Sequence, residues 1–259
     1  MPCLSKLEFR NCLKLDRLPH LPSLKEFSIS DLESGTLPDG GWERLSLEDL
    51  FISYCANLES LPEGLGQLKK LKSLRIEYLK MLTHLPDSLG QLESLETLQI
   101  YSRMKLKSLP EGLGQLKKLK SLRMADLKML THLPDSLGQL ESLETLKIFW
   151  CEKLESLPEG LGQLKKLKSL EIEYLEMLTH LPDSLGQLEV LNCLVIGGCN
   201  ALGSLPHGLQ HLSHLQRLRI YKCPLVSERC KREGGADWSK ISHIPNICID
   251  DERIQEQRR

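Results

Sequence analysis

Leucine recurs along most of this chain at fixed intervals, and the polar residues between recur just as regularly. A Leu-Pro pair opens a unit at Leu61, Leu85, Leu109, Leu133, Leu157, Leu181 and Leu205, each 24 residues after the last, with no insertion or deletion. The framework reads LPxxLGQLxxLxxLxIxxxxxLxx. In LKSLRIEYLKML, Leu71 to Leu82, the residues Leu74 and Ile76 alternate with Ser73, Arg75 and Glu77. A period of two predicts a strand with Leu74 and Ile76 inward and the other three on the opposite face. Leu71, Leu79 and Leu82 then carry the core around the rest of the coil. Pro86 and Gly90 in LPDSLGQL break a strand, so this segment is expected to form a short turn or single-turn helix on the outer side.

The strand leucine or its equivalent can be followed through Leu7, Phe27, Leu50, Leu74, Leu98, Leu122, Leu146, Leu170, Leu194 and Leu218, which makes ten coils. The first two steps, 20 and 23 residues, are less regular, and ERLSLEDL near Trp42 is an atypical connection. Leucine at a period of 20 to 29 residues marks a leucine-rich-repeat solenoid: an α/β fold with a curved, parallel concave sheet and short turns or 3-10 helices on the convex side. Residues 1–223 are assigned to the solenoid, 224–250 to a capping tail, and 251–259 to disorder. Solenoids need covered ends. Trp238, Ile241, Ile244, Ile247 and Ile249 can cover the last coil, whereas Leu4, Leu7 and Phe9 are expected to be partly uncovered and to promote association at the first.

Composition narrows the function. The charge is -1, with 34 basic and 35 acidic residues, which argues against the basic excess of a nucleic-acid footprint. No apolar run reaches membrane-spanning length, and MPCLSKLEFRNC has no apolar core of a secretory signal. There is no Asn-x-Ser/Thr site, and the nine cysteines form no framework of pairs. These features favour a reducing, cytoplasmic setting. No phosphate-binding loop and no nucleophile elbow occur, so neither an enzyme nor a bound cofactor is expected.

Differences between copies are more informative than their sameness. Units starting at Leu61, Leu109 and Leu157 share LPEGLGQLKKLKSL unchanged, and those at Leu85 and Leu133 share LPDSLGQLESLETL. The copies diverge at Arg75/Arg123/Glu171, Glu77/Ala125/Glu173, Tyr78/Asp126/Tyr174, Gln99/Lys147, Tyr101/Phe149 and Ser102/Trp150. They also differ at Ile76/Met124/Ile172 and Lys80/Lys128/Glu176, so variation concentrates on, without being confined to, the outward side of the strand and the loop after it. Most aromatics collect there in a chain only 5 % aromatic. Aromatics interleaved with Arg, Lys and Glu are the composition of a protein-binding surface. The candidate residues are Arg75, Glu77, Tyr78, Gln99, Tyr101, Arg123, Asp126, Lys147, Phe149, Trp150, Glu171, Glu173, Tyr174, Arg219 and Tyr221. The bland alternative is that the rings pack on one another as cross-strand pairs.

Three ladders remain. Lys69, Glu93, Lys117, Glu141, Lys165 and Glu189 alternate in sign, as do Lys72, Glu96, Lys120, Glu144 and Lys168, which reads as structural pairing between coils. Glu63, Asp87, Glu111, Asp135, Glu159 and Asp183 keep one sign. Each follows a proline at the start of the outer turn, where a carboxylate can meet free backbone N–H groups; the alternative is an acidic stripe that docks a basic partner. Past the strands, Cys12, Cys55, Cys151, Cys199 and Cys223 read as a buried ladder of small side chains, with redox or metal chemistry as the alternative. His207, His211 and His214 have a spacing open to zinc, but they replace outer-surface residues of earlier units and lie on a turn too short for a rigid helix.

SLPEGLGQLKKL and LxxLxIxxCxxLxSLP resemble the repeats of plant intracellular nucleotide-binding leucine-rich-repeat immune receptors, and the LPxxLGxL repeats of intracellular Ras-group scaffolds look similar. The tail CPLVSERCKREGGADWSKISHIPNICID resembles the end of coiled-coil-type plant resistance proteins through Cys223, Pro224, Glu228, Arg229, Cys230, Asp237, Trp238, Ile241, His243, Ile244 and Pro245. The resemblance spans essentially the whole chain. It implies recognition of pathogen effectors or guarded host proteins in plant defence, with regulation of an attached nucleotide-binding domain if the chain is part of a longer one. No residue matches that domain's nucleotide motif, so nucleotide binding does not carry over. The alternative is a scaffold that binds a small GTPase or phosphatase.

Overall fold

The computed structural model describes residues 4–18, 20–101 and 104–256. Each coil contributes one five-residue strand: Lys6–Arg10 (β1), Glu26–Ser30 (β2), Asp49–Ser53 (β3), Ser73–Glu77 (β4), Thr97–Tyr101 (β5), Ser121–Ala125 (β6), Thr145–Phe149 (β7), Ser169–Glu173 (β8), Cys193–Gly197 (β9) and Arg217–Tyr221 (β10). They pair in parallel in sequence order with no register slip, so that Leu74 lies beside Leu50 and Leu98. The strict period causes this register: a one-residue slip would turn every core leucine outward. Leu71, Leu74, Ile76, Leu79 and Leu82 are all buried, as are Leu47, Leu50, Ile52, Cys55 and Leu58 in the preceding coil. At each coil entry one carbonyl accepts two N–H groups of the next coil, as Glu48 O does from Lys72 and Ser73 at 2.7 and 3.0 Å.

Opposite the sheet, the Pro-led segments form 3-10 turns such as Glu63–Gln67, Asp87–Gln91 and Glu111–Gln115. These pack so closely that a Cβ on Gly90 would sit 2.1 Å from Gly112 O. Ser88 Oγ donates to Glu63 O at 2.7 Å, and Ser184 Oγ to Glu159 O at 2.7 Å. Three of the same-sign carboxylates meet backbone N–H groups, but those of the following coil rather than their own turn. Glu63 accepts from Ser88 N (3.3 Å), Glu159 from Ser184 N (3.2 Å) and Asp183 from His207 N (2.8 Å). The reach is set by the coil-to-coil spacing, which brings the next turn's free N–H within one side-chain length.

Beyond β10 the chain forms helix α1 (Pro224–Arg229), helix α2 (Trp238–Ile241) and strand β11 (Asn246–Ile249), which pairs in parallel with β10. Val226, Cys230, Ile241, Ile244 and Ile247 are buried against the last coil. Asp237 is the hub of this segment, with its side chain fully buried. It accepts from Arg229 at 3.0 and 3.1 Å, from Leu205 N at 2.9 Å and from Lys240 at 2.8 Å, while Lys240 also donates to Leu205 O. Burial alone would raise its carboxyl pKa, but the Arg229, Lys240 and Leu205 N–H bonds outweigh burial and hold it below its ordinary value.

The expectation of disorder over 251–259 is corrected for its described part. Glu252–Glu256 forms strand β12, antiparallel to β11, so the sheet has twelve strands. Asp250 and Asp251 link the two strands with φ of 47° and 66°, the positive pair that a two-residue type I′ hairpin requires and that Asp tolerates. Gln255 fastens the strand by donating to Ile244 O at 2.7 Å and Ser242 O at 3.1 Å. Residues 257–259, and the variable position Ser102, lie outside the described residues.

Candidate protein-binding surface

The fifteen candidate residues divide among three positions of the coil. Arg75, Gln99, Arg123, Lys147, Glu171 and Arg219 occupy the centre of their strands and point away from the core; Glu77, Tyr101, Phe149, Glu173 and Tyr221 end them. Tyr78, Asp126, Trp150 and Tyr174 follow directly, on the turn that leaves the sheet. Their φ values are 54°, 58°, 52° and 58°, and Asn11, Asp31, Tyr54, Gly198 and Lys222 match them in other coils. Wherever this position is described, the coil thus leaves the sheet through a left-handed residue, and its N–H can continue the ladder: Tyr78 N donates to Tyr101 O at 2.9 Å and Trp150 N to Glu173 O at 3.0 Å. Aromatic residues are poor at positive φ, so the rim holds bulky rings in a backbone state that glycine, asparagine or aspartate would adopt with less strain.

The rings stack along this rim. Tyr54 and Tyr78 lie 4.6 Å apart at 14°, and Trp150 and Tyr174 lie 5.6 Å apart at 16°. Stacking leaves their outer edges open: Tyr54, Tyr78 and Trp150 are 53 %, 47 % and 51 % exposed. The rings therefore pair across strands and still present area to solvent. Phe149 departs from that picture. It was expected among the exposed aromatics, but it is buried, lying against the Trp150 ring at 6.1 Å with the Arg123 guanidinium 5.4 Å from its centroid.

Cations of the sheet face lie over rings as well. Arg75 covers Phe51 at 5.3 Å, Arg123 covers Tyr101 at 5.5 Å, and Arg219 covers Tyr221 at 4.8 Å. Most are also ion-paired: Arg75 with Glu77 at 3.5 Å, Lys147 with Glu171 at 2.7 Å, and Arg219 with Asp251 at 3.0 Å. Arg123 is the exception, with no carboxylate partner among the described residues. Burial pushes the Tyr101 hydroxyl pKa up, and burial together with a hydrogen bond to Glu173 does the same for Tyr221. Both phenols are therefore protonated and able to donate at neutral pH.

Between β4 and β10, two coils lack an aromatic at the strand end and rim, with different results. In one, Gly197 and Gly198 leave room that neighbours fill; a Cβ there would meet the Tyr221 ring at 2.3 Å and the Tyr174 ring at 2.5 Å respectively. In the other, Ala125 and Asp126 leave a hollow of about 480 Å³, walled by Tyr78, Tyr101, Phe149 and Trp150 and edged by Arg123 and the Lys128–Glu152 ion pair. Sequence comparison between copies located these positions, but the hollow is visible only once the coils are stacked.

The cysteine ladder lies inside the core and bonds to the backbone. Cys55, Cys151, Cys199 and Cys223 are buried, and each thiol donates to the carbonyl two residues back, at 3.2, 3.5, 3.4 and 3.3 Å. Burial pushes the Cys151 thiol up to about 12, far from the thiolate that redox or metal chemistry uses. His207 and His211 bound a 3-10 turn, and among the described residues no group of three or more His, Cys, Asp or Glu side chains is placed to hold a metal.

A family model described as a leucine-rich repeat region matches residues 45–177. No curated protein matches the chain. Among solved structures, the leucine-rich repeat domain of the type III effector XopL is similar at 26% identity with a TM-score of 0.73, over 86% of this chain and 77% of that one. The Arabidopsis receptor kinase HAESA, solved in complex with the peptide hormone IDA and the co-receptor SERK1, matches at 21% identity with a TM-score of 0.48, over 80% of this chain and 37% of its own.

Proposed function

The chain belongs to the leucine-rich repeat family, and from that premise we propose that its sheet face and left-handed rim, from β4 to β10, recognise a protein partner. Domains of this kind serve in general as protein-interaction scaffolds, because stacked repeats expose a long continuous face. The observation that carries the proposal is the two stacked pairs Tyr54–Tyr78 and Trp150–Tyr174, three of whose rings are about half exposed, held in strained backbone beside the cations of the sheet face. Strain of this kind costs about 1–3 kcal/mol per residue, and a rim serving the scaffold alone would use Asn, Asp or Gly there. The role is binding rather than catalysis.

The finer reading is recognition of pathogen effectors or guarded host proteins in plant defence, in the cytoplasm, with control of a nucleotide-binding domain where one is attached. Its support is the tail resemblance through Arg229, Cys230, Asp237, Trp238, His243 and Pro245. Within the fold those residues serve the cap: Arg229 binds Asp237, and His243 Nε2 lies 3.3 Å from Leu212 O. The competing reading, a scaffold for a small GTPase or phosphatase, rests on the LPxxLGQL turns; a nucleotide-binding domain encoded upstream separates the two. The test of the common core is the triple variant Tyr101→Ala, Trp150→Ala, Tyr174→Ala. We expect it to stay folded by circular dichroism and to lose the partner that the unaltered chain retains on an affinity matrix. Undiminished retention by the folded variant would contradict the proposal.

A further inference from the structure

We propose that the hollow over Ala125 is an anchor site for a partner segment that sets a carboxylate side chain beside an aromatic one. The inference rests on the protein-recognition reading and names the partner chemistry of that surface. Three observations carry it. The equivalent gap at Gly197 and Gly198 is filled by the chain's own Tyr221 and Tyr174, whereas the gap at Ala125 has no ring of its own to close it. Two of its aromatic walls, Tyr78 and Trp150, are each stacked on one neighbour and remain about half exposed, which leaves apolar area for one further ring. The third observation is the state of Arg123.

That guanidinium lies 5.5 Å from the Tyr101 centroid and 5.4 Å from that of Phe149. A stacked guanidinium spends its π faces on the rings and keeps its in-plane N–H donors free, in the fork geometry that matches a carboxylate. The other cations at this position in their strands, Arg75, Lys147 and Arg219, already hold a carboxylate. Arg123 is exposed and has none among the described residues. Of the other charges lining the hollow, Lys128 and Glu152 pair with each other and Asp126 is already engaged, so complementarity to Arg123 asks for an acidic side chain on the incoming segment, and the aromatic walls ask for a ring next to it.

The test uses the full chain, isotope-labelled, and capped tetrapeptides of the form acetyl-Gly-Glu-Phe-Gly-amide, with Gln or Lys in place of Glu as comparisons. We expect saturable shifts of the Arg123 Nε–H and Trp150 indole resonances with the Glu-Phe peptide. Binding should weaken about tenfold or more with Gln-Phe, as a lost charge-assisted hydrogen bond requires. Arg123→Gln should weaken the Glu-Phe peptide by a similar factor, while Arg75→Gln should not. Absence of binding, equal binding of the Lys-Phe peptide, or indifference to Arg123→Gln would overturn the assignment. The broader reading fails in a different way: a protein partner retained by the triple aromatic variant. A partner that needs the aromatic rim but ignores Arg123 would overturn the anchor site alone.

Discussion

Among the described residues, the one that follows each strand from β1 to β10 is left-handed, and its identity separates scaffold from surface. Asn11, Asp31, Asp126 and Gly198 meet the backbone requirement with residues suited to it; Tyr54, Tyr78, Trp150 and Tyr174 meet it under strain. This reverses the ordinary order of substitutions. Tyr78→Gly is expected to be more stable than Tyr78→Ala by about 1 kcal/mol, because alanine keeps the cost of positive φ after losing the stacking. Urea unfolding of the two variants measures it, and a more stable alanine would contradict it. The sequence carried a signal for this conformation in the recurrence of Asn, Asp and Gly at one step of the repeat. It was masked by the aromatics at the same step, which read naturally as surface residues of a strand. Outwardness was legible for Arg75, Gln99 and Arg123, because strand periodicity decides it. The burial of Phe149 was not, since it depends on Arg123 and on the ring of Trp150.

Coils are held to one another differently on their two faces. On the sheet side the ladder and the leucines set register, and the period made this legible down to individual pairs such as Leu74 with Leu98. On the turn side the contact is backbone on backbone. Gly90→Ala would place a methyl 2.1 Å from Gly112 O, whereas Gly40 has nothing within 4 Å of an added Cβ. Gly90→Ala is expected to destabilise by roughly 1–3 kcal/mol and Gly40→Ala to leave the urea midpoint unchanged; equal effects would contradict the close-packed turn. The charge ladders were legible in sign but not in direction. Lys69 pairs forward with Glu93 at 3.4 Å, while Lys72 pairs backward with Glu48 at 2.6 Å. Lys117 with Lys120, and Lys165 with Lys168, repeat the pattern, so each lysine-bearing coil clamps both glutamate-bearing neighbours. Direction depends on which neighbour a flexible side chain reaches, and spacing along the chain does not contain that.

For the molecule as a whole, the tail is where the regular pattern ends and the hydrogen-bonding changes character. Asp237 joins α1, α2 and the last 3-10 turn through one carboxylate, and its pKa is depressed. Such a group contributes stability that is fully present above its ordinary 3.8 and is lost as pH falls through the lower folded value. Glu48, held down to about 2 by bonds from Lys72 and Lys25, acts in the same direction between 4.5 and 2. Thermal unfolding should therefore show a midpoint that falls as the solution is acidified through this range. Asp237→Asn should flatten that fall, and Asp237→Ala should cost about 3 kcal/mol at neutral pH by leaving Lys240 and the Leu205 N–H unpaired. An unchanged acid profile in Asp237→Asn would contradict its role as hub. The apolar residues of the cap were legible from Trp238 to Ile249; the β12 hairpin was not, because its Asp-Asp turn and charged strand carry no apolar alternation. The central claim is that protein recognition occurs on the sheet face and rim. Photo-crosslinking from a benzophenone side chain placed at Tyr101, at Trp150 or at Gln115 on the opposite turn face tests it most directly. The account predicts one partner joined at the first two positions and not the third; a partner joined through Gln115 alone, or equally from all three, would contradict it.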